Sequence, residues 1–345
     1  MKRFFISLFS MVSLIILCSS SIISFKVQVP APVGIPQHIQ SLAIIDRTVP
    51  EKQLVNIIEG TLTGEGINQD KQAAQIAIDG LYSVLQNTQR FVAVRTTETL
   101  KGTSLGAKFP DPLPWDTIES LCKKYKVDAI VSLESFDSNF IVTNGSKSGQ
   151  EKNSQGETIN VSRFFARGTA SVDLGFRIYD PSDKSIVDEY HFSHNRDWNG
   201  SGNSINDAIQ TLTNRGEAVK QVSYNSGVMY GRRITPAWYT VSRTYYRKCK
   251  RDPDLAEGAR LMEVNDWNNA IQALEKAVNN GKTKTRGRAA HNLAVVYEIL
   301  GNLDQAKSWA QSAYAKYGNK ISKDYLYDLN RRMQDQEVLD NQMGK

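Results

Sequence analysis

The chain has 345 residues, 40% hydrophobic and 23% charged, an ordinary globular balance with enough material for about two domains. Three cysteines show no disulfide framework, which excludes a small cross-linked scaffold. The formal charge of +6, or +4 once Lys2 and Arg3 are set aside, is too mild to define a polyanion binder.

Lys2 and Arg3 precede residues 4–17, apolar apart from Ser7, Ser10 and Ser13, and then come Cys18 and a serine run. A positive start, an apolar core and small residues after it form an export signal. Three outcomes stay open. Cys18 becomes a lipidated mature N-terminus although Leu17 precedes it; cleavage within 19–21 releases a soluble protein; or the apolar run stays as an anchor. The expected location is the cell envelope, as an outer-membrane lipoprotein, with a soluble periplasmic protein as the alternative. Export removes most nucleic-acid and cytosolic-enzyme readings.

Residues 27–36, VQVPAPVGIP, read as an extended tether. LAIID at 42–46 reads as a buried strand. Beyond Gly64 and Gly66, Asp70 is placed to cap a helix whose Ala74, Ala77, Ile78, Leu81 and Leu85 share one face. A second strand follows at 91–94. Asp116 with Glu119 signals the start of a helix ending near Lys126, with Cys122 on its apolar stripe. Residues 127–136 form a third strand. From Ala166 to Ile178 every even position is apolar or glycine and the odd ones are polar or small, the period of a half-buried strand. The turn at 180–183 returns it as a hairpin over 186–194. Residues 143–162, rich in Gly, Ser, Asn and Lys, read as a flexible loop.

After the break at 198–202 the pattern turns helical, through Ile205, Ala208, Ile209, Leu212, Val219, Val222 and Met229. Pro236 then opens another helix, 236–247, with Trp238, Val241 and Tyr245 facing inward. Residues 258–277 and 294–313 align at an offset of 36, close to the 34-residue tetratricopeptide period. Gly258, Leu261, Trp267, Ala270, Leu274 and Ala277 in the first copy correspond to Ala294, Tyr297, Leu303, Ala306, Ala310 and Ala313 in the second, with Gly301 between its helices. Small residues let paired helices approach while the large ones fill the gaps. The excess over 34 falls in a basic loop at 279–288.

The organisation is therefore a signal peptide at 1–18, a tether at 19–37 and an α+β domain with a mixed or antiparallel sheet at 38–200. Connecting helices follow at 201–250, all-α tetratricopeptide-like repeats at 251–335 and a polar tail at 336–345.

Chemistry is sparse. His191 and His194, three apart on a strand, point to opposite faces and cannot share a metal ion. Gly64-Glu65-Gly66 lacks the rest of a phosphate loop, and no Gly-x-Ser-x-Gly elbow occurs. Glu134, Asp137, Asp180 and Asp183 read as turn and edge acids. No catalytic residue, metal or cofactor is expected. Two basic clusters remain: Arg243, Arg247, Lys248, Lys250 and Arg251 after several aromatics, and Lys282, Lys284, Arg286 and Arg288. Both read as solvated faces, with anionic lipid, glycan phosphate or an acidic protein as the functional alternative. Of these, Arg243, Arg247, Lys282, Lys284 and Arg286 are the candidate partner-binding residues.

IPQHIQSLAIIDR at 35–47, DGLYSVLQNTQRFVAV at 79–94, VDAIVSLESFDSN at 127–139 and ITPAWYTVSRTYY at 234–246, set between the leader and the repeats, resemble an uncharacterised lipoprotein family of Bacteroidetes-type bacteria. Its members carry an N-terminal domain of unknown function and C-terminal tetratricopeptide repeats. The resemblance implies no catalytic residues. At fold level the strand–helix order is also similar to envelope lipoprotein domains of the curli-secretion and translocation-protein kind.

The expected function is a non-catalytic envelope scaffold that binds protein partners through its repeats and touches the membrane by lipid or anchor, with no nucleic acid. The alternatives are an assembly component oligomerising through the α+β domain, or a glycan binder or enzyme. The last would use loops near 95–115 and 140–165, with Asp137 or His191 involved.

Overall fold

The computed structural model describes residues 20–50, 65–102, 109–248 and 252–345. The expected leader with Cys18, residues Cys249, Lys250 and Arg251, and the Gly64 end of the glycine fragment lie outside the described residues. The elements, in order, are β1 (Ser20–Val29), β2 (Ser41–Pro50), α1 (Glu65–Gln86), β3 (Val92–Gly102), α2 (Trp115–Tyr125), β4 (Ala129–Lys152), β5 (Thr158–Asp180) and β6 (Ser185–Gly202). Then come α3 (Ile205–Gln210), α4 (Arg215–Ile234), β7 (Ala237–Tyr246) and five helices: α5 (Pro253–Glu263), α6 (Trp267–Asn280), α7 (Thr283–Ile299), α8 (Leu303–Ala315) and α9 (Lys320–Met343). The expected class holds: an α+β body with a mixed sheet, followed by an all-helical region.

Two compact units divide the chain. One comprises 30–237 with 339–345; the other comprises the strands β1 and β7 with the helices up to Val338.

In the sheet unit the strand order is β3-β2-β4-β5-β6. β2 runs parallel to β3 and β4, and β4, β5 and β6 follow antiparallel. Alternation sorts the side chains. Leu42 and Ile44 of β2 join Val131, Leu133 and the even residues Ala170–Ile178 of β5 in a core covered by α1 and α4. Ala43, Ile45, Ile130 and Tyr179 point the other way, onto Ile118, Leu121 and Cys122 of α2. The face expected on α1 is the buried one.

Several local expectations are corrected. The polar stretch 143–162 is no loop: β4 and β5 stay paired from Ile130–Tyr179 out to Lys152–Thr158. Asn153 closes the turn by accepting from the backbone N–H groups of Gln155 and Glu157, with Gly156 at φ +83°. No layer covers this ribbon, so nothing demands apolar alternation in it. Asp70 does not cap α1; it lies within the helix and accepts the Ser138 hydroxyl. Pro114 occupies the cap position of α2, and Asp116 sits in the first turn, where a negative charge favours the helix dipole.

The tether is also structured. Residues 20–29 form β1, paired with β7. Ile35 and Ile39 are buried in the sheet-unit core, and the Arg90 guanidinium donates to the carbonyls of Ile35, Pro36 and Ile39. Residues 236–247 form strand β7 instead of a helix, and Trp238 is exposed while Tyr245 is buried. Its aromatic and β-branched run favours a pleated surface once helices are available to cover it.

α1 and α4 cross at contact distance. A Cβ on Gly227 would lie 1.8 Å from the Ala77 carbonyl oxygen, and one on Gly80 would lie 2.1 Å from that of Tyr224. Backbone cannot yield as a side-chain tip can. Gly227→Ala is expected to lower stability by about 3 kcal/mol, whereas Gly149→Ala, in open space, stays within about 0.5 kcal/mol of the parent in urea unfolding.

Candidate functional site

The five C-terminal helices form antiparallel hairpins with matching turns. Asn265 (φ 61°) and Gly301 (φ 78°), 36 positions apart, take the left-handed conformation between paired helices. Asp266 and Asn302 follow, each capping the next helix by accepting a backbone N–H three residues on. Gly258 abuts Leu274, since a Cβ there would stand 2.6 Å from its Cγ. Ala270, Leu274, Ala277, Ala294, Ala306, Ala310 and Ala313 are buried in one core, and Leu261, Trp267 and Tyr297 pack half-buried against it. The basic "loop" at 279–288 shrinks to Gly281 and Lys282, because α7 starts at Thr283.

β7 lies against the first helices of these hairpins, and α7 reads its backbone. The Asn292 side chain accepts from the Tyr246 N–H at 2.8 Å and donates to the Tyr246 carbonyl at 2.7 Å. His291 Nε2 meets the Thr244 carbonyl at 2.9 Å, and its Nδ1 meets the Ser322 hydroxyl at 2.9 Å. Arg288 donates to the Lys248 carbonyl at 2.8 Å and stacks over Tyr246. These contacts engage main chain, so they recognise an extended strand more than any particular side chain. The other side of β7 is bordered by β1, with the Ser24 and Ser242 hydroxyls 2.8 Å apart.

At the centre of this seat Glu298, with a fully buried carboxylate, receives Arg243 on both oxygens at 2.8 and 2.9 Å and the Tyr325 hydroxyl at 2.6 Å. Arg332 Nε stands 3.8 Å away. Burial first, then the Glu298 charge, raises the Tyr325 hydroxyl far above its usual range, so it remains a donor. Burial lowers the His291 pKa, and the Thr244 carbonyl only partly opposes this. The ring is therefore neutral near pH 7.

Most of the candidate partner-binding residues are engaged within the fold. Arg243 is committed to Glu298. Arg247 pairs with Glu263 at 2.8 Å, and Arg286 donates to the Gly281 and Asn279 carbonyls. Lys282 and Lys284 are exposed. Glu298 and Asn292 escaped the sequence reading. Their signal was present as a polar stripe, Arg288, His291, Asn292 and Glu298, on a helix otherwise rich in Ala and Val.

The sheet unit holds a second buried polar centre. Glu134 accepts from Arg47 at 2.8 Å and from the Tyr179 hydroxyl at 2.7 Å, with Arg177 Nη1 3.7 Å away. Arg47 and Arg177 also hold the carbonyls of Asp111 and Pro110. Burial, then the Glu134 charge, pushes the Tyr179 hydroxyl up to about 12. Next along this face His191 packs edge-on to Phe109, and its Nε2 and the Ser135 hydroxyl are buried without hydrogen-bond partners. Asp137 and Asp173 are cross-strand neighbours there; burial and then the Asp173 charge raise the Asp137 carboxyl. His194 pairs in register with Val172 and so points to the opposite face from His191. Among the described residues no group of three or more His, Cys, Asp or Glu could hold a metal ion. Cys122 is a buried free thiol pushed up to about 11, chiefly by burial, and is unreactive.

What emerges is a two-unit protein: a mixed-sheet body and a helical array whose first-helix face holds an extended strand. A family model described as a domain of unknown function, DUF8603, matches residues 39–246, and the chain belongs to that family. A second domain of unknown function, DUF6340, matches residues 256–333 of the helical region. No curated protein matches. Among solved structures, the PelC dodecamer from Paraburkholderia phytofirmans is similar at 10% identity over 62% of this chain and 99% of that chain, with a TM-score of 0.24. A neuraminyllactose-binding hemagglutinin homologue from Helicobacter pylori is similar at 11% identity over 57% of this chain and 81% of that one, with a TM-score of 0.23. Likeness at those scores carries no argument.

Glu298→Ala strands Arg243 in the interior and is expected to cost the helical unit about 3–5 kcal/mol, read as an earlier helix-unfolding transition in guanidinium. The depressed His291 pKa sets a pH dependence. The unfolded chain binds the proton more readily, so the stabilisation is full above about pH 6.5 and falls as the pH drops below it. His291→Gln is expected to flatten that part of the stability–pH curve.

Proposed function

We propose that the protein is a non-catalytic scaffold of the cell envelope, anchored through lipidated Cys18, whose tetratricopeptide-like helices hold an extended segment. The observation that carries this reading is the main-chain clamp of Asn292 and His291 on β7. Stacked helix pairs offer such a surface to an extended peptide, and here the chain's own β7 fills it. A partner therefore meets the outer side of the array and the β1 strand laid beside β7. β1 carries Ile22, 70% exposed, and α9 carries Tyr327, 75% exposed. Among the described residues β1 forms a ladder with β7 alone, and a strand edge outside a ladder is a ready template for a partner's strand. The polar centres serve cohesion: the Glu298 and Glu134 carboxylates are each held by an arginine and a tyrosine.

Photo-crosslinking side chains placed at Ile22 and at Tyr327 in the native envelope are expected to give one discrete adduct, with none from Ile159 on the sheet unit's ribbon. Uncrosslinked protein alone at all three positions would remove the scaffold reading. Mass spectrometry of the mature N-terminus, wild type against Cys18→Ala, tests the anchor separately.

A further inference from the structure

The two basic clusters, about 35 residues apart in the sequence, meet at one end of the helical unit. Arg288, in the first turns of α7, donates to the Lys248 carbonyl at 2.8 Å and covers the Tyr246 ring at 4.7 Å. Lys284 lies four residues before Arg288, one helical turn away, and Lys282 stands at the N-cap position of the same helix without a side-chain cap bond. Arg247 and Lys248 project from the end of β7. The acids close by are occupied: Glu263 pairs with Arg247, and Asp252 accepts the Leu255 N–H. Asp254 lies in the first turn of α5. The five basic residues Arg247, Lys248, Lys282, Lys284 and Arg288 outnumber the acids Glu263, Asp252 and Asp254 named beside them.

The chain's first described residues arrive at this same end. Ser21 hydrogen-bonds the Tyr245 hydroxyl, which also donates to Glu263. β1 begins at Ser20, two residues after Cys18, so at most about 7 Å of extended chain separates the strand from that cysteine. There is no spacer of the kind the proline-rich segment suggested. Whatever holds residues 1–18 in a membrane holds this cationic end at the bilayer surface, within about one Debye length.

We infer that the end of the helical unit formed by Arg247, Lys248, Lys282, Lys284 and Arg288 is a docking face for an anionic lipid bilayer. The inference rests on the membrane-attached reading above for its orientation, through lipid on Cys18 or a retained apolar anchor. The physical need is plain. A single acyl modification binds membranes marginally, and a basic patch supplies the second signal. Lysines near an anionic leaflet are attracted within a Debye length and released by salt. That also accounts for two clusters being kept on one end of a chain whose net charge is mild.

The test uses the unlipidated chain from Ser19 onward in vesicle flotation. Binding to phosphatidylglycerol-containing vesicles is expected, with little to phosphatidylcholine alone and loss between about 0.1 and about 0.5 M salt. Lys248→Glu combined with Lys284→Glu is expected to weaken binding roughly tenfold or more. Lys147→Glu with Lys152→Glu, the same charge change on the exposed ribbon of the sheet unit, leaves it unchanged. Equal binding to both vesicle types, or equal loss from the two double variants, overturns the inference. Circular dichroism confirms that each variant is folded. An unmodified Cys18 with vesicle binding intact would remove the lipid anchor and leave this face standing; a lipidated Cys18 with no charge-dependent binding would do the reverse.

Discussion

A buried backbone must have its N–H and C=O groups satisfied, and the helical unit is arranged around that constraint. β7 lies against α7 with one edge toward β1 and the other toward helices that have no ladder to offer. Side chains take the ladder's place. Asn292 supplies both an acceptor and a donor to Tyr246, and His291 meets the carbonyl of Thr244 two residues earlier. That spacing matches the two-residue repeat of a strand, in which alternate residues present their backbone groups to the same edge. Residues 291 and 292 can do this only because α7 is central among the helices and firmly held by Ala and Val on its remaining faces.

The same economy appears where the helices and strands must be locked together. Glu298 and Glu134 are both fully buried carboxylates, each joined by an arginine and a tyrosine from other elements. Isolated, either charge would be intolerable in the interior; surrounded by donors it specifies which elements meet and in what register. Arg243 brings β7 to Glu298 of α7, and Tyr325 brings α9. Arg47 and Arg177 add the carbonyls of Asp111 and Pro110, so they hold the segment entering α2 as well. These clusters look like catalytic acid–base sets in a residue inventory. In both clusters each carboxylate oxygen receives a donor from another element, so the pair also ties those elements together.

Burial periodicity was legible wherever a layer covers the element. Ala74 through Leu85 and the even positions from Ala166 to Ile178 could be assigned because one face meets a core. The helical offset of 36 was legible for the same reason, and Asn265 and Gly301, 36 positions apart, both take positive φ between paired helices. The ribbon beyond Thr143 was opaque because its pairing is fixed by the Asn153 turn and not by burial. β7 was misread as a helix because Trp238, Val241 and Tyr245 also fit a 3.6-residue period, and the covering helices lie later in the chain. β1 was misread because a short alternating run beside an apolar leader has no signal of its own. The meeting of the two basic clusters was illegible for a different reason: Arg288 and Lys248 come together only through the path of α7 under β7.

The two strands of the helical unit flank residues 30–237 of the sheet unit in the sequence, and its last segment, 339–345, follows the helices. Joining Ser24 to Ser242 closes a loop of 218 residues. In an unfolded chain the length-dependent part of that closure costs about 5 kcal/mol. A two-stranded sheet cannot supply this alone, since isolated hairpins are marginal even with a short turn. Two features reduce the cost. The inserted sheet unit has its own core and can fold first, which replaces a floppy loop by a fixed body. The helices beyond residue 253 then offer β7 a seat built from nearby sequence. β1 then pairs with a strand that α7 also holds, so the pairing need not offset the closure cost alone.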